Sequence, residues 1–234
     1  MTLYQDFASH YDAIFPTDQE TVDFLAKSFG KGRLLDLGCA TGGVVLALRK
    51  KGFRADGIDL DDAMIEIARA KALALGSPAS FGVADIRSLS ANALYQGVYC
   101  IGNTLAHLTE EDEIRDLVKK MYFALSDTGT AVIQIVNYDR VLDGNVTALP
   151  SIENAGRTLT RKYRRDGGLV RFQTVLTYQD ESYRADTPLY PLRARTLQAI
   201  LTSAGFRRVA LYGDFDLRPF DPAQSFALVA RGVK

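Results

Sequence analysis

Three aspartates stand where short apolar runs stop: Asp36 within Arg33-Leu34-Leu35-Asp36-Leu37, Asp59 within Gly57-Ile58-Asp59-Leu60, and Asp85 within Val83-Ala84-Asp85-Ile86. Between the first two lies a turn of small residues, Gly38-Cys39-Ala40-Thr41-Gly42-Gly43. Gly38, Ala40 and Gly42 leave no bulk where a ligand must lie against the backbone. Residues 44–50 then read as a helix, whose first N–H groups and partial positive charge point back at that ligand. Asp59, at a strand tip, suits a bidentate grip on ribose hydroxyls. Asp36 holds the last inward position of its strand, where a carboxylate repels a pyrophosphate and attracts an ammonium group. Asp85 offers an acceptor to an adenine amino group. Three acids without a phosphate-pairing Arg or Lys describe a pocket for a cationic, phosphate-free nucleoside.

Each acid taken singly also reads as a turn or helix-capping carboxylate. Gly38-x-Ala40-x-x-Gly43 with an acid about twenty residues later fits a degenerate dinucleotide fingerprint as well, so an NAD(P)-dependent oxidoreductase stands as an alternative. Asp36 separates the two readings, because it disfavours a pyrophosphate, and S-adenosyl-L-methionine is the expected cofactor. A third reading is a protein that binds this cofactor without catalysis and acts through a partner. The expected cofactor residues are Asp36, Gly38, Cys39, Ala40, Gly42, Asp59, Leu60, Met64, Asp85 and Ile86. Leu60 and Met64 flank the adenine in this reading, while Met64 reads equally well as helix core.

The elements that must position these residues alternate along the chain. Apolar spacing gives a helix over about 18–29, strands at 33–37, 54–58, 80–83, 98–101 and 130–136, and helices over 44–50, about 61–75 and 109–125. Strand–helix alternation implies a Rossmann-like α/β fold with a mostly parallel, seven-stranded sheet. Segments 209–212 and 225–230 close it as a C-terminal antiparallel hairpin, after a helix over 195–204. Between strand five and that helix, the extended segments 158–163, 170–178 and 182–190 are separated by Asp166-Gly167-Gly168 and Gln179-Asp180-Glu181. They form an antiparallel β-rich insertion over 137–191, read as a substrate cap within a single domain of residues 1–234.

Composition narrows the partners. The 234 residues are 47% hydrophobic and 24% charged with zero net charge, which suits a globular domain and points to neither nucleic acid nor an anionic membrane. No apolar run reaches the roughly 18–20 residues of a membrane span, and Met1-Thr2-Leu3-Tyr4-Gln5-Asp6 lacks the pattern of a signal peptide. Cys39 and Cys100 sit in apparent core strands as small hydrophobes, which with the missing leader fits a cytoplasmic location. Two histidines without ligand spacing give no metal site. A small-molecule acceptor is the expected partner, and a homo-oligomer is left open.

Leu35-Asp36-Leu37-Gly38-Cys39-Ala40-Thr41-Gly42, Ile58-Asp59 and Ala84-Asp85-Ile86 resemble the first three motifs of class I S-adenosylmethionine-dependent methyltransferases. More narrowly, Cys100-Ile101-Gly102-Asn103-Thr104-Leu105-Ala106-His107-Leu108, Asn137-Tyr138-Asp139, Leu189-Tyr190-Pro191 and Tyr212-Gly213-Asp214-Phe215 resemble, in order, segments of the glycine N-methyltransferase and glycine/sarcosine methyltransferase group. The resemblance implies that Asn103 contacts substrate, that Tyr190 lies near the acceptor pocket and that Tyr11 belongs to a segment closing over the cofactor, so Tyr11 and Asn103 join the expected cofactor residues. It also implies an arginine before Asn-Tyr-Asp to hold the substrate carboxylate. Val136 stands there instead, which puts glycine in doubt as acceptor.

Methyl transfer from a sulfonium asks a protein chiefly to align donor and acceptor and to exclude water. Nitrogen of a small molecule is the expected acceptor atom, with Asn103, His107 and Tyr190 as the expected catalytic residues. His107 reads as a base for an amine acceptor or, at an apparent helix entry, as a capping group. The insertion interleaves Arg157, Arg161, Arg164, Arg165, Arg171 and Arg184 with tyrosines. These form a solvated sheet face, or one or two of them, with Arg193, meet a polar or anionic acceptor.

Overall fold

The computed structural model describes residues 7–90 and 92–234. A turn of 3-10 helix (Ala8–His10) leads into α1 (Tyr11–Ile14) and α2 (Gln19–Ser28). Alternating elements follow: β1 (Arg33–Leu37), α3 (Gly43–Lys50), β2 (Arg54–Asp59), α4 (Asp62–Ala74), β3 (Phe81–Val83), β4 (Tyr95–Cys100), α5 (Glu111–Ala124) and β5 (Leu125–Val136). After α6 (Tyr138–Asp143) come β6 (Ala148–Asn154), β7 (Arg157–Asp166), β8 (Leu169–Tyr178) and β9 (Glu181–Leu189), then α7 (Ala194–Ala204), β10 (Arg207–Tyr212) and β11 (Ala227–Val233).

Local chemistry sets the boundaries. Asp18 accepts from Thr21 N at 2.8 Å and starts α2, and Asp61 accepts from Met64 N at 3.1 Å and starts α4. Gly205, at φ 107°, ends α7 in a conformation only glycine adopts freely.

The main sheet has seven strands in the order β10-β11-β5-β4-β1-β2-β3. Strands β1 to β5 pair in parallel, β11 runs antiparallel to β5, and β10 runs antiparallel to β11. The order reverses beside β1, whose neighbours are β2 and β4, so the chain diverges at the carboxyl ends of these strands and opens a crevice there. One face buries α5 and α7 through residues such as Leu117, Met121, Leu197 and Leu201 against Val98 and Ile133. The other buries α2, α3 and α4 through Leu25, Val45, Leu48 and Ile65 against Leu34, Tyr99 and Val132.

Strands β6-β7-β8-β9 form a second, wholly antiparallel sheet. The sequence predicts three extended segments here, and the structure adds β6. That strand lies at the sheet edge, carries Pro150 and buries only Leu149, so it lacks an alternating apolar pattern. Helices α1 and α6 are too short to show a helical period and are likewise additions. Leu159 and Leu176 of the second sheet pack with Phe7, Ala8 and Ile14 of the N-terminal segment and with Met64 of α4. Tyr163, Val170 and Leu189 pack instead into the core beside Tyr138 and Leu192.

Candidate cofactor and acceptor site

The crevice holds two cavities that meet. The larger, about 570 Å³, is walled by Asp59, Leu60, Asp85, Ile86, Thr104 and His107 among others. The smaller, about 200 Å³, reaches Asp36, Cys39, Thr17, Gln134 and Phe215. Tyr11, Gly38, Ala40, Ile101 and Gly102 line both, which makes one bent site over the ends of β1 and β4.

Gly38 and Gly42 have different uses. Gly38 sits at φ 82°, and a Cβ there would strike the Thr104 side chain. Gly42, at φ 75°, would drive a Cβ within 2.6 Å of Phe81 and 3.0 Å of Ala68, on the side of the helix–sheet packing. Its glycine therefore serves the turn and the close approach of α3 to the core, and it lines neither cavity. Ala40 adopts φ 46° and its N–H donates to Asp59 Oδ2 at 2.8 Å. Asp59 Oδ1 accepts from Asp61 N at 3.0 Å, so one carboxylate ties the small-residue turn to the start of α4. Each oxygen keeps a second acceptor direction. Burial raises the Asp59 pKa, and the Asp61 and Ala40 N–H groups oppose that shift.

Asp36 is 2% exposed, and its Oδ1 meets no hydrogen-bond donor. Tyr99 of β4 stands in register with it, fully buried, and its hydroxyl also lacks a hydrogen bond of good geometry. Burial pushes Asp36 well above the usual carboxylate range, the Tyr99 hydroxyl pulls it down and the charge of Asp59 adds to the rise. A buried carboxyl with an unused acceptor oxygen at the floor of a cavity fits the cationic end of a ligand, whose charge would favour its ionised form.

Asp85 faces the larger cavity, but its carboxylate holds Arg87 at 2.6 Å, and Arg87 in turn pairs with Glu113 at 2.7 Å. The Arg87 guanidinium keeps Asp85 below its ordinary pKa. Nothing in the spacing Asp85-Ile86-Arg87 announced that the third acid would be engaged by its own neighbour. Ile86 is buried against the cavity and Leu60 is 69% exposed at its rim. Met64 is 1% exposed and belongs both to the cavity wall and to the cluster that holds the N-terminal segment. Cys39 is buried, and burial raises its thiol pKa.

The expected catalytic residues separate. His107 lines the larger cavity, and burial lowers its pKa. Asn103, at φ 69°, accepts from Val136 N at 3.0 Å and donates to Tyr138 Oη at 3.1 Å, so its amide joins the ends of β4 and β5 and lines neither cavity. The Tyr190 hydroxyl donates to Glu111 Oε2 at 2.7 Å, and its N–H donates to Ala106 O at 2.8 Å. It too lies outside both cavity walls. Sequence reasoning passed over Gln134, whose Oε1 accepts from Gly102 N at 2.6 Å and shapes the loop after β4. It also passed over Asp12, which accepts from Thr41 Oγ1 at 2.5 Å and from Lys71 Nζ at 2.7 Å and so moors Tyr11 over the crevice. Neither stands in a local motif, since each acts across the fold.

Residues 34–129 match a family model described as a methyltransferase domain. The carboxy-S-adenosyl-L-methionine synthase of Wolinella succinogenes is 31% identical over 202 residues, covering 81% of this chain and 75% of that protein. The chain belongs to the class I S-adenosylmethionine-dependent methyltransferases. A glycine/sarcosine/dimethylglycine N-methyltransferase of Actinopolyspora halophila is 28% identical over 190 residues, covering 80% of this chain. The matched part is 33% of that relative, so the chain spans about a third of its length. The crystallised CcbJ methyltransferase of Streptomyces caelestis superposes with a TM-score of 0.83 over 99% of this chain and 97% of its own, at 23% identity, which shows a common fold. The cofactor of this methyltransferase family is S-adenosylmethionine, which brings an electrophilic methyl group. Asp59, Asp36 and the backbone at Gly38 are the groups here that would hold its ribose, its ammonium end and the sulfonium chain between them.

Proposed function

We propose that the protein transfers a methyl group from S-adenosylmethionine to a nitrogen of a small molecule held beneath the second sheet. The observation that carries this reading is the buried Asp36 carboxyl, whose Oδ1 meets no donor, at the floor of a cavity continuous with the Asp59 cavity. A cationic nucleoside satisfies both ends, whereas a dinucleotide would set a pyrophosphate against Asp36.

Residues 137–191 act as the acceptor cap. The second sheet packs on the N-terminal segment and on Met64, and Tyr11 and Met64 line the crevice, so in this reading strap and sheet close over it together, as methyl transfer requires, because water must be kept from the sulfonium. His107, held neutral by burial, is the side chain in the cavity wall suited to take a proton from an amine. Asn103 and Tyr190 act through the backbone they fix. Val136 leaves the end of β5 without a cation, which argues against recognition of glycine at that wall.

Two measurements test the reading. Labelled S-adenosylmethionine is expected to bind in the micromolar range, with no binding of NAD(H) or NADP(H), and the reverse would remove the proposal. A screen of amines, amino acids and hydroxylated metabolites for S-adenosylhomocysteine release is expected to find an amine. Turnover confined to hydroxyl acceptors would move the reaction to oxygen, and binding without any turnover would favour a non-catalytic role.

A further inference from the structure

On the inner face of the second sheet a polar pair lies between two apolar ones. Leu159 and Leu176, in register, pack on the N-terminal segment and Met64. Tyr163, in register with Phe172, packs into the core that contains Tyr138. Arg161 and Thr174, also in register, stand between these pairs and share their face by the two-residue alternation of strands. The inner face of the proposed cap is therefore interrupted there by one guanidinium and one hydroxyl, which stand outside the walls of the two cavities.

Both groups are underused. Arg161 Nη2 donates to Pro150 O at 2.7 Å, but its Nε is buried and meets no acceptor. Thr174 is 3% exposed, and its Oγ1 has no hydrogen-bond partner. No carboxylate among the described residues pairs with Arg161, and burial lowers its pKa as expected for an unneutralised cation.

The other arginines of the insertion are engaged or face outward. Arg157 donates to His10 Nδ1 at 3.0 Å, Arg165 donates to Asn145 Oδ1 at 3.0 Å, and Arg171 pairs with Asp186 at 2.8 Å. Arg193, beyond the sheet, pairs with Asp143 at 2.7 Å. Arg164 and Arg184 alternate onto the opposite face. A half-buried guanidinium without a counter-charge is costly, and a bound anion removes that cost.

We propose that Arg161 and Thr174 form the subsite that holds a carboxylate of the acceptor. The inference rests on the cap being the acceptor wall. Arg161 presents Nε–H beside its Nη groups, a fork that matches the two oxygens of a carboxylate, and Thr174 adds a third donor. One guanidinium and one neutral hydroxyl balance a monoanion, whereas a phosphate dianion would need a second cation. The cation that Val136 does not supply at the end of β5 is thus supplied from the second sheet.

Calorimetric titration tests this with wild type, Arg161→Met and Thr174→Val, with and without S-adenosylhomocysteine. The probes are glycine, β-alanine, γ-aminobutyrate and 4-aminobenzoate, each against its carboxamide, with inorganic phosphate as a further anion. Wild type is expected to bind at least one carboxylate about tenfold or more tightly than its carboxamide, and more tightly than phosphate. Arg161→Met is expected to abolish the difference. Thr174→Val is expected to shrink it several-fold at unchanged or raised Tm, because the lost hydroxyl makes no hydrogen bond in the folded chain. A wild type that binds no carboxylate above its carboxamide, or a preference that survives Arg161→Met, overturns the proposal. Tighter binding of phosphate overturns the choice of carboxylate. Since carboxylate binding is also read without cofactor, failure of S-adenosylmethionine to bind would count against the proposed methyl transfer and leave the role of Arg161 standing or falling on its own titration.

Discussion

Asp59 does two things at once, because each carboxylate oxygen already accepts a backbone N–H from the turn it is meant to serve. Asp59→Ala removes an acceptor for ribose and releases Ala40 and Asp61, so S-adenosylmethionine binding is expected to weaken by roughly 2–3 kcal/mol. Asp85→Ala is expected to cost about 1 kcal/mol or less, since Arg87 already occupies that carboxylate. Calorimetry on both variants checks the order, and equal effects would mean the adenosine lies elsewhere. Asp36 gives a prediction of opposite sense. Its folded pKa lies above its unfolded value, so the native state retains a proton that the unfolded chain gives up above about pH 4. Stability attributable to this residue therefore falls as pH rises from that value toward the raised one. Asp36→Asn is expected to raise the Tm of the free protein, by an amount that grows with pH across this window, while weakening cofactor binding. Thermal melts from pH 4 to 8 read the first effect and calorimetry the second. The acids were legible in the sequence because strand ends and small-residue turns leave local marks. The bonds of Asp85, Asn103 and Tyr190 were not, because Arg87 is a contingent neighbour and Tyr138 and Glu111 meet the other two only through the fold.

The segment from Ala8 to Ile14 works as a strap across the crevice. Asp12 ties it to the Thr41 turn and to α4, and two bonds tie it to the second sheet, Asn154 Nδ2 to Ala13 O at 2.7 Å and Arg157 Nε to His10 Nδ1 at 3.0 Å. His10 is packed against the rings of Tyr178 and Tyr183, and burial followed by the charge of Arg157 lowers its pKa, with Glu181 opposing. The unfolded chain thus binds a proton on this ring more readily than the folded one. The contribution of His10 is present above about pH 6.5 and is lost as pH falls through its lowered value. Below that value the ring no longer accepts from Arg157 and repels it. Hydrogen exchange over residues 8–14 is expected to quicken on acidification toward pH 5, and His10→Phe should remove most of that pH dependence. Exchange that is insensitive to pH in the wild type would separate the strap from His10. Periodicity in the sequence found the elements with a long apolar face, including α2, α4, α5 and α7. It passed over α1 and α6, which are too short to show a helical period, and β6, an edge strand that buries only Leu149.

At the scale of the molecule, the strand order β10-β11-β5-β4-β1-β2-β3 brings three separate parts of the chain to one place: the ends of β1, β2 and β4, the strap, and the second sheet. Alternation of strands and helices made the parallel sheet and its closing antiparallel pair readable in advance. The way the second sheet folds down was not readable, because Leu159, Leu176 and Met64 belong to different periodic patterns and meet only in three dimensions. A ligand at this junction couples the parts, so its binding energy should appear as stability of the whole. At S-adenosylmethionine concentrations near 100 times Kd the expected gain is about 2.7 kcal/mol, which for a chain of this size raises Tm by about 5–10 °C. NADH at the same concentration is expected to leave Tm unchanged. The distribution of the gain matters as much as its size. If the strap and cap close over the cofactor, slowed hydrogen exchange extends from the Gly38 turn to residues 8–14 and to the strand positions around Leu159 and Leu176. A Tm rise with protection confined to the Gly38 turn, β2 and α4 would show that the cofactor is held by the main sheet alone, and that the second sheet answers only to the acceptor.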